Sequence, residues 1–128
     1  MQQIQEFQYV TVLYIKMGYY NIIISPTSQD MTTIVTEFRK FRYNCLPMVM
    51  CDSGDILHTQ VYKIFGDIEG VKTYMDKILV LSNERFDNNI EKPRTIFGGL
   101  RASGLKFNDP KCSFRLKETT YLGYVITR

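Results

Sequence analysis

Two runs of strand-forming residues, Val71 to Met75 and Ile78 to Ser82, stand two positions apart, with only Asp76 and Lys77 between them. Runs this short, joined by so short a polar link, pair with each other as an antiparallel hairpin. The tip of that hairpin would present Asp76 and Lys77 together. Strand pairing in the middle of the chain therefore commits the fold to an antiparallel sheet, and the remaining segments must pack around it.

Those segments alternate in character. Phe7 to Ile15 is rich in Val, Tyr, Thr and Ile, a glycine-bearing stretch follows, and Asn21 to Ser25 is apolar again before Pro26. This predicts strand, turn, strand. Thr32 to Leu46 mixes β-branched and aromatic residues with Arg39, Lys40 and Arg42, which predicts a hairpin with a basic outer edge and a turn near Glu37 to Lys40. Asp52 or Ser53 can cap a helix over Gly54 to Phe65, where Ile56, Leu57, Val61, Ile64 and Phe65 share one apolar face.

A second helix is expected across Phe86, Ile90, Ile96, Phe97 and Leu100, with Gly104 as its C-cap, but Pro93, Gly98 and Gly99 fall inside it. Proline costs such a helix about 3 kcal/mol and each glycine roughly 1, so propensity alone predicts a compromised element. The tail adds an extended segment, a turn at Asn108 to Lys111 and a final strand from Tyr121 to Thr127. Strands interleaved with helices in this order predict an α+β domain, an antiparallel sheet with two helices packed on one face.

The 128 residues suit one domain, and 45% apolar content with nine Tyr and eight Phe is enough for a core. No apolar run is long enough to span a bilayer, and the first ten residues lack the pattern of a secretory signal. Three cysteines without a C-x-x-C pair suggest neither a disulfide framework nor a zinc site, so an intracellular protein without membrane partners is expected. A net charge of +3 suits a phosphate backbone but is too small to argue from.

Five segments, in order, carry a resemblance: LYIKMGYY (Leu13 to Tyr20), LPMVM (Leu46 to Met50), YMDKILVLS (Tyr74 to Ser82), GLKFNDPKCSF (Gly104 to Phe114) and YLGYVIT (Tyr121 to Thr127). Together they resemble the motifs of reverse transcriptases, the RNA-directed DNA polymerases, in the form found in gypsy-like LTR retrotransposons. The resemblance spans nearly the whole chain. It implies a polymerase palm with a remnant fingers hairpin, as one partial domain over residues 1–128 without thumb, connection or RNase H regions. It also implies a primer–template of RNA or DNA as partner, and the remainder of a polyprotein around the chain.

The same resemblance implies nucleotidyl transfer by two Mg²⁺ ions. Two hard cations about 3.5–4 Å apart need clustered oxygen ligands, which carboxylates on adjacent strands supply. The family's first motif reads L-D-x-x-x-G-Y and its third Y-x-D-D. In this chain Tyr14 stands at the first aspartate and Lys77 at the last, leaving Asp76 as the remaining motif carboxylate. One charge pair at about 4 Å and an effective dielectric near 20 is worth roughly 4 kcal/mol, so two lost attractions and one added repulsion predict no tight Mg²⁺ binding and no polymerase activity. The plainer role for Asp76 is to pair with Lys77 or to cap the hairpin turn.

Other positions match the family's pattern more closely. Tyr19 aligns with the aromatic residue under the incoming sugar. Met48 and Val49 lie in the nucleotide-binding segment, where Val49 replaces a glycine and a β-branched side chain obstructs close approach. Lys111 aligns with a lysine near the pyrophosphate that serves as a possible general acid, and Tyr121, Leu122 and Gly123 resemble the primer grip. His58, the one histidine, reads as a surface or partly packed helix residue. Two other roles compete with an inactive polymerase palm: a non-catalytic nucleic-acid-binding module using the sheet and its basic edge, and a core for protein interaction.

Overall fold

The computed structural model describes residues 7–82 and 88–127, without the side chains of 88–91. Strand β1 (Tyr9–Lys16) is the centre of a five-stranded antiparallel sheet. On one side it pairs with β5 (Lys77–Ser82), which pairs in turn with β4 (Val71–Tyr74). On the other side it pairs with β6 (Lys106–Phe107) and, further along, with β7 (Ser113–Leu116). The hairpin predicted around Asp76 is therefore present, with Lys77 as the first residue of β5 rather than part of the loop.

Both faces of this sheet are covered, and alternation along the strands assigns each residue to a face. Leu13, Ile15, Ile78 and Val80 meet helix α2 (Ser53–Phe65) through Leu57, Val61 and Phe65, and helix α3 (Asn88–Ser103) through Ile96 and Leu100. The spacing of Leu57, Val61 and Phe65 keeps them on one stripe of α2. Val10, Val12, Leu79 and Leu81 form the opposite cluster with Phe7 and Ile126. Ile126 comes from a hairpin of β8 (Glu118–Tyr121) and β9 (Tyr124–Thr127), a separate two-stranded sheet.

Several expectations need correction. The second strand expected at Asn21 to Ser25 is replaced by a 3-10 turn at Gly18–Asn21, a single bridge between Ile23 and Cys45, and a short helix, α1 (Pro26–Met31). Gly18 is pressed so close to Leu57 that a Cβ would lie 3.1 Å from its Cδ1, so the chain turns onto α2 instead of returning along the sheet. Ser25 then accepts a hydrogen bond from the Ser28 amide and Pro26 occupies the first helical turn, a start signal that the sequence carries openly.

The final strand expected over Tyr121 to Thr127 is broken at Leu122 and Gly123, whose φ of +51° and +81° are those of a type I′ turn. Neither Asp52 nor Ser53 caps α2 with its side chain; the buried Ser53 hydroxyl donates to the Pro47 carbonyl instead. The hairpin predicted from Thr32 to Leu46 forms, with strands β2 (Ile34–Val35) and β3 (Lys40–Phe41) of two residues each.

Helix α3 runs through Pro93, Gly98 and Gly99. Ile96 and Leu100 are buried against the sheet, and it is tertiary packing of this kind that sustains helices of poor propensity. Gly104, at φ +75°, closes the helix: its amide donates to the Arg101 carbonyl and the Leu105 amide to that of Leu100, the paired bonds of a Schellman cap. Phe86 and the Ile90 side chain, placed on this helix's apolar face by the sequence, lie outside the described residues. No described helix is long and apolar enough to cross a membrane.

Candidate active site

Antiparallel pairing of β1 with β5 sets Tyr14 directly opposite Lys77 at the end of the sheet, one step beyond Leu13 opposite Ile78. Leu13 and Ile78 point to the helices, so Tyr14 and Lys77 share the other face. The two positions that the motifs assign to aspartates are thus cross-strand neighbours. The Lys77 ammonium lies 5.7 Å from the centre of the Tyr14 ring and 5.5 Å from that of Tyr121, within reach of cation–π attraction to both. It also donates a hydrogen bond of 2.7 Å to the Thr120 carbonyl. Burial, and then the neighbouring Tyr74, push the Tyr121 phenol up from its ordinary value.

Asp76 sits in the two-residue loop before Lys77, and its carbonyl accepts from the Ile15 amide at 2.8 Å. Asp76 and Lys77 do not pair: Lys77 reaches across to β8 instead. The preceding Met75 holds φ at +51°, a conformation that costs a non-glycine residue about 1–3 kcal/mol and persists only where its surroundings impose it. Helix α2 provides that imposition. The Met75 amide donates to His58 Nδ1 at 3.3 Å, and the end of the Met75 side chain fills the space beside Gly54. His58 is half-buried, and its role as a support for the loop depends on Met75, 17 residues away, so the sequence does not disclose it.

The turn expected at Asn108 to Lys111 is a 3-10 turn, Asp109–Lys111, stitched to the same end of β1. The Asn108 amide donates to the Tyr14 carbonyl at 2.7 Å, and the Tyr14 amide to Cys112 Sγ at 3.4 Å. Lys111 is exposed on this turn. Tyr19, in contrast, is half-buried against the helix-side cluster, on the other side of the sheet from Tyr14 and Tyr121. Met48 and Val49 project from the loop before α2 at 61% and 86% exposure, while Leu46 beside them is fully buried. Tyr121 packs on the cluster opposite the helices, and Leu122 and Gly123 form the turn beyond it.

The donor set does not fit a pair of Mg²⁺ ions. Where the resemblance implies three carboxylates, the chain carries the Asp76 carboxylate, the Tyr14 phenol and the Lys77 ammonium, and an ammonium supplies no ligand and repels a cation brought near it. Among the described residues no three of His, Cys, Asp or Glu come together as a metal-binding group.

The family profile for reverse transcriptase (RNA-dependent DNA polymerase) matches residues 1–126. The chain is 27% identical over 131 residues to the retrovirus-related Pol polyprotein from transposon 412 of Drosophila melanogaster, covering 99% of this chain and 10% of that protein. It is 22% identical over 122 residues to the corresponding polyprotein from transposon 297 of the same organism, covering 94% of the chain and 11% of the relative. The chain thus spans about a tenth of the length of these relatives.

The fold is similar to that of the foamy viral protease-reverse transcriptase. In the complex with dsDNA the TM-score is 0.87 at 22% identity, over 97% of this chain and 27% of that one. In the complex with an RNA/DNA hybrid it is 0.85 at 23% identity, over 94% and 16%. With the profile covering almost all of its length and the palm-like sheet and helices in place, the chain belongs to the reverse transcriptase (RNA-dependent DNA polymerase) family.

Proposed function

We propose that this chain is the palm, with part of the fingers, of a gypsy-like retrotransposon reverse transcriptase, carried within a Pol polyprotein inside the cell, in a degenerate copy that does not polymerise DNA. The observation that carries the reading is the cross-strand pair of Tyr14 and Lys77. Cation-dependent nucleotidyl transfer needs carboxylates at these neighbouring positions, and here one is uncharged and the other positive. In this reading Asp76 is the remnant of the triad, and Lys111, Tyr19, Met48 and Val49 are remnants of the nucleotide site. Tyr121, Leu122 and Gly123 are the remnant of the primer grip. Extension of a labelled primer on RNA and DNA templates tests it. No extension by the purified chain is expected in Mg²⁺ or Mn²⁺, and extension abolished by chelation would overturn the reading.

A second reading, residual binding of single-stranded nucleic acid, is favoured by the hairpin of β2 and β3. Phe38 at its turn is 89% exposed, Phe41 is 51% exposed, the Arg39 guanidinium lies 5.9 Å from the Phe41 ring, and Lys40 is exposed beside them. Exposed rings for stacking with cations for phosphate are the usual means of gripping an unpaired strand. Binding of an oligouridine in chelator should weaken with salt and fall about tenfold on replacing Phe38 and Phe41 by alanine. Equal binding by the variant would remove this reading.

A further inference from the structure

The hairpin of β8 and β9 shares no backbone ladder with the five-stranded sheet among the described residues. Its apolar hold on the body comes from Ile126 and Tyr121 in the cluster opposite the helices, while Leu122, Tyr124 and Val125 remain exposed. A lone two-stranded hairpin is marginal in water, so its position over the sheet depends on what docks it. The directional contact comes from Lys77. Its ammonium bonds to the Thr120 carbonyl of β8, 43 residues away, and lies near the rings of Tyr14 on β1 and Tyr121 on β8.

We infer that Lys77 is a latch that closes the β8–β9 hairpin onto the palm sheet, an internal cation standing at the end of the sheet where the family's chemistry requires bound ones. The inference deepens the reading of this face as a former metal site and rests on it. The chemistry at position 77 is reversed as a set. An aspartate would repel the Thr120 carbonyl and the electron-rich ring faces, whereas an ammonium is attracted to all three. Tyr14 belongs to the same exchange, because a carboxylate there would draw Lys77 away from β8 into an ion pair, and a phenol ring leaves it free to reach across. The hairpin is thus held over the end of the sheet by groups of the chain itself.

Hydrogen exchange followed by mass spectrometry on the full chain, in chelator, tests the latch. Lys77→Met keeps the aliphatic stem and removes the charge. It should raise exchange of the 118–127 amides about tenfold while leaving those of β1 and β5 unchanged, since one charged hydrogen bond and two cation–π contacts are lost locally. Lys77→Arg should retain most of the protection. Tyr121→Leu reports on the same contact from the other side and should show the same local rise, which keeps the test alive should Lys77→Met fail to fold. Unchanged exchange at 118–127 in a folded variant, or an equal rise through β1 and β5, would overturn the inference. Primer extension reads the loss of polymerase activity separately, so the two can fail independently.

Discussion

Leu122 takes the first position of the type I′ turn between β8 and β9 at φ +51°, a conformation that suits Asn or Gly and strains a γ-branched side chain. Its side chain is 53% exposed, so little packing is lost by changing it. Leu122→Asn should stabilise the chain by about 1 kcal/mol, visible as a higher urea midpoint at unchanged slope. Tyr121, one residue earlier, carries a pH signature. Its phenol is neutral in both states below its ordinary value of 10.0 and keeps its proton longer when folded, because burial and Tyr74 raise it. Above that value the unfolded chain binds fewer protons than the folded one, so the contribution is fully present below it and is lost as pH climbs through the raised value. Urea midpoints measured on either side of that value should fall less steeply for Tyr121→Phe than for the parent chain. Both residues are plain in the motif YLGY, yet the turn that strains one and the burial that shifts the other depend on the hairpin's docking.

The two adjacent glycines of α3 show how an element's defects separate once it is packed. A Cβ on Gly98 would meet nothing within 4 Å, whereas one on Gly99 would lie 3.1 Å from Phe65 Cε1 and 3.6 Å from Ile64 Cγ2. Gly98→Ala should therefore stabilise by about 1 kcal/mol through propensity alone. Gly99→Ala forces α2 and α3 apart and should cancel that gain or reverse it by about 1–3 kcal/mol. Paired urea titrations of the two variants check this, and equal behaviour would contradict the packing described for α2 and α3. Propensity ranks the two glycines alike, because it is a property of one helix, while the difference lies in a neighbouring helix. The β4–β5 hairpin, α2 and the Gly104 cap were legible for the opposite reason: their signals are alternation, fourfold spacing and a terminal glycine, all local. The 3-10 turn at Gly18–Asn21 was not, since a β-prone Asn21 to Ser25 can be overruled only by the approach of Leu57.

In the molecule as a whole, one sheet divides two clusters, helices α2 and α3 on one side and the β8–β9 hairpin on the other. Tyr14, Lys77 and Tyr121 gather on the hairpin side at the end of the sheet. Millimolar Mg²⁺ should leave the melting temperature of the chain equal to that in chelator, since a ligand stabilises only what it binds. The double variant Tyr14→Asp with Lys77→Asp sets two carboxylates opposite each other on β1 and β5, beside Asp76 in the adjoining loop, and should gain a Mg²⁺- or Mn²⁺-dependent rise. A rise in the unmodified chain would count against the proposed loss of the metal site.

Motifs, alternation and helical spacing are written in short stretches of chain, so the sequence carries the family, the α+β class, the β2–β3 and β4–β5 hairpins and α2, and it sets Tyr14 and Lys77 where the resemblance implies aspartates. What Tyr14 and Lys77 do at those positions is set by packing between distant segments. Lys77 turns to a carbonyl 43 residues away instead of to Asp76 beside it, and Tyr14 meets Cys112 across 98 residues. Which acceptor an ammonium finds depends on the strand register that sets its face and on the element covering that face, and both are settled by packing between segments far apart in the chain.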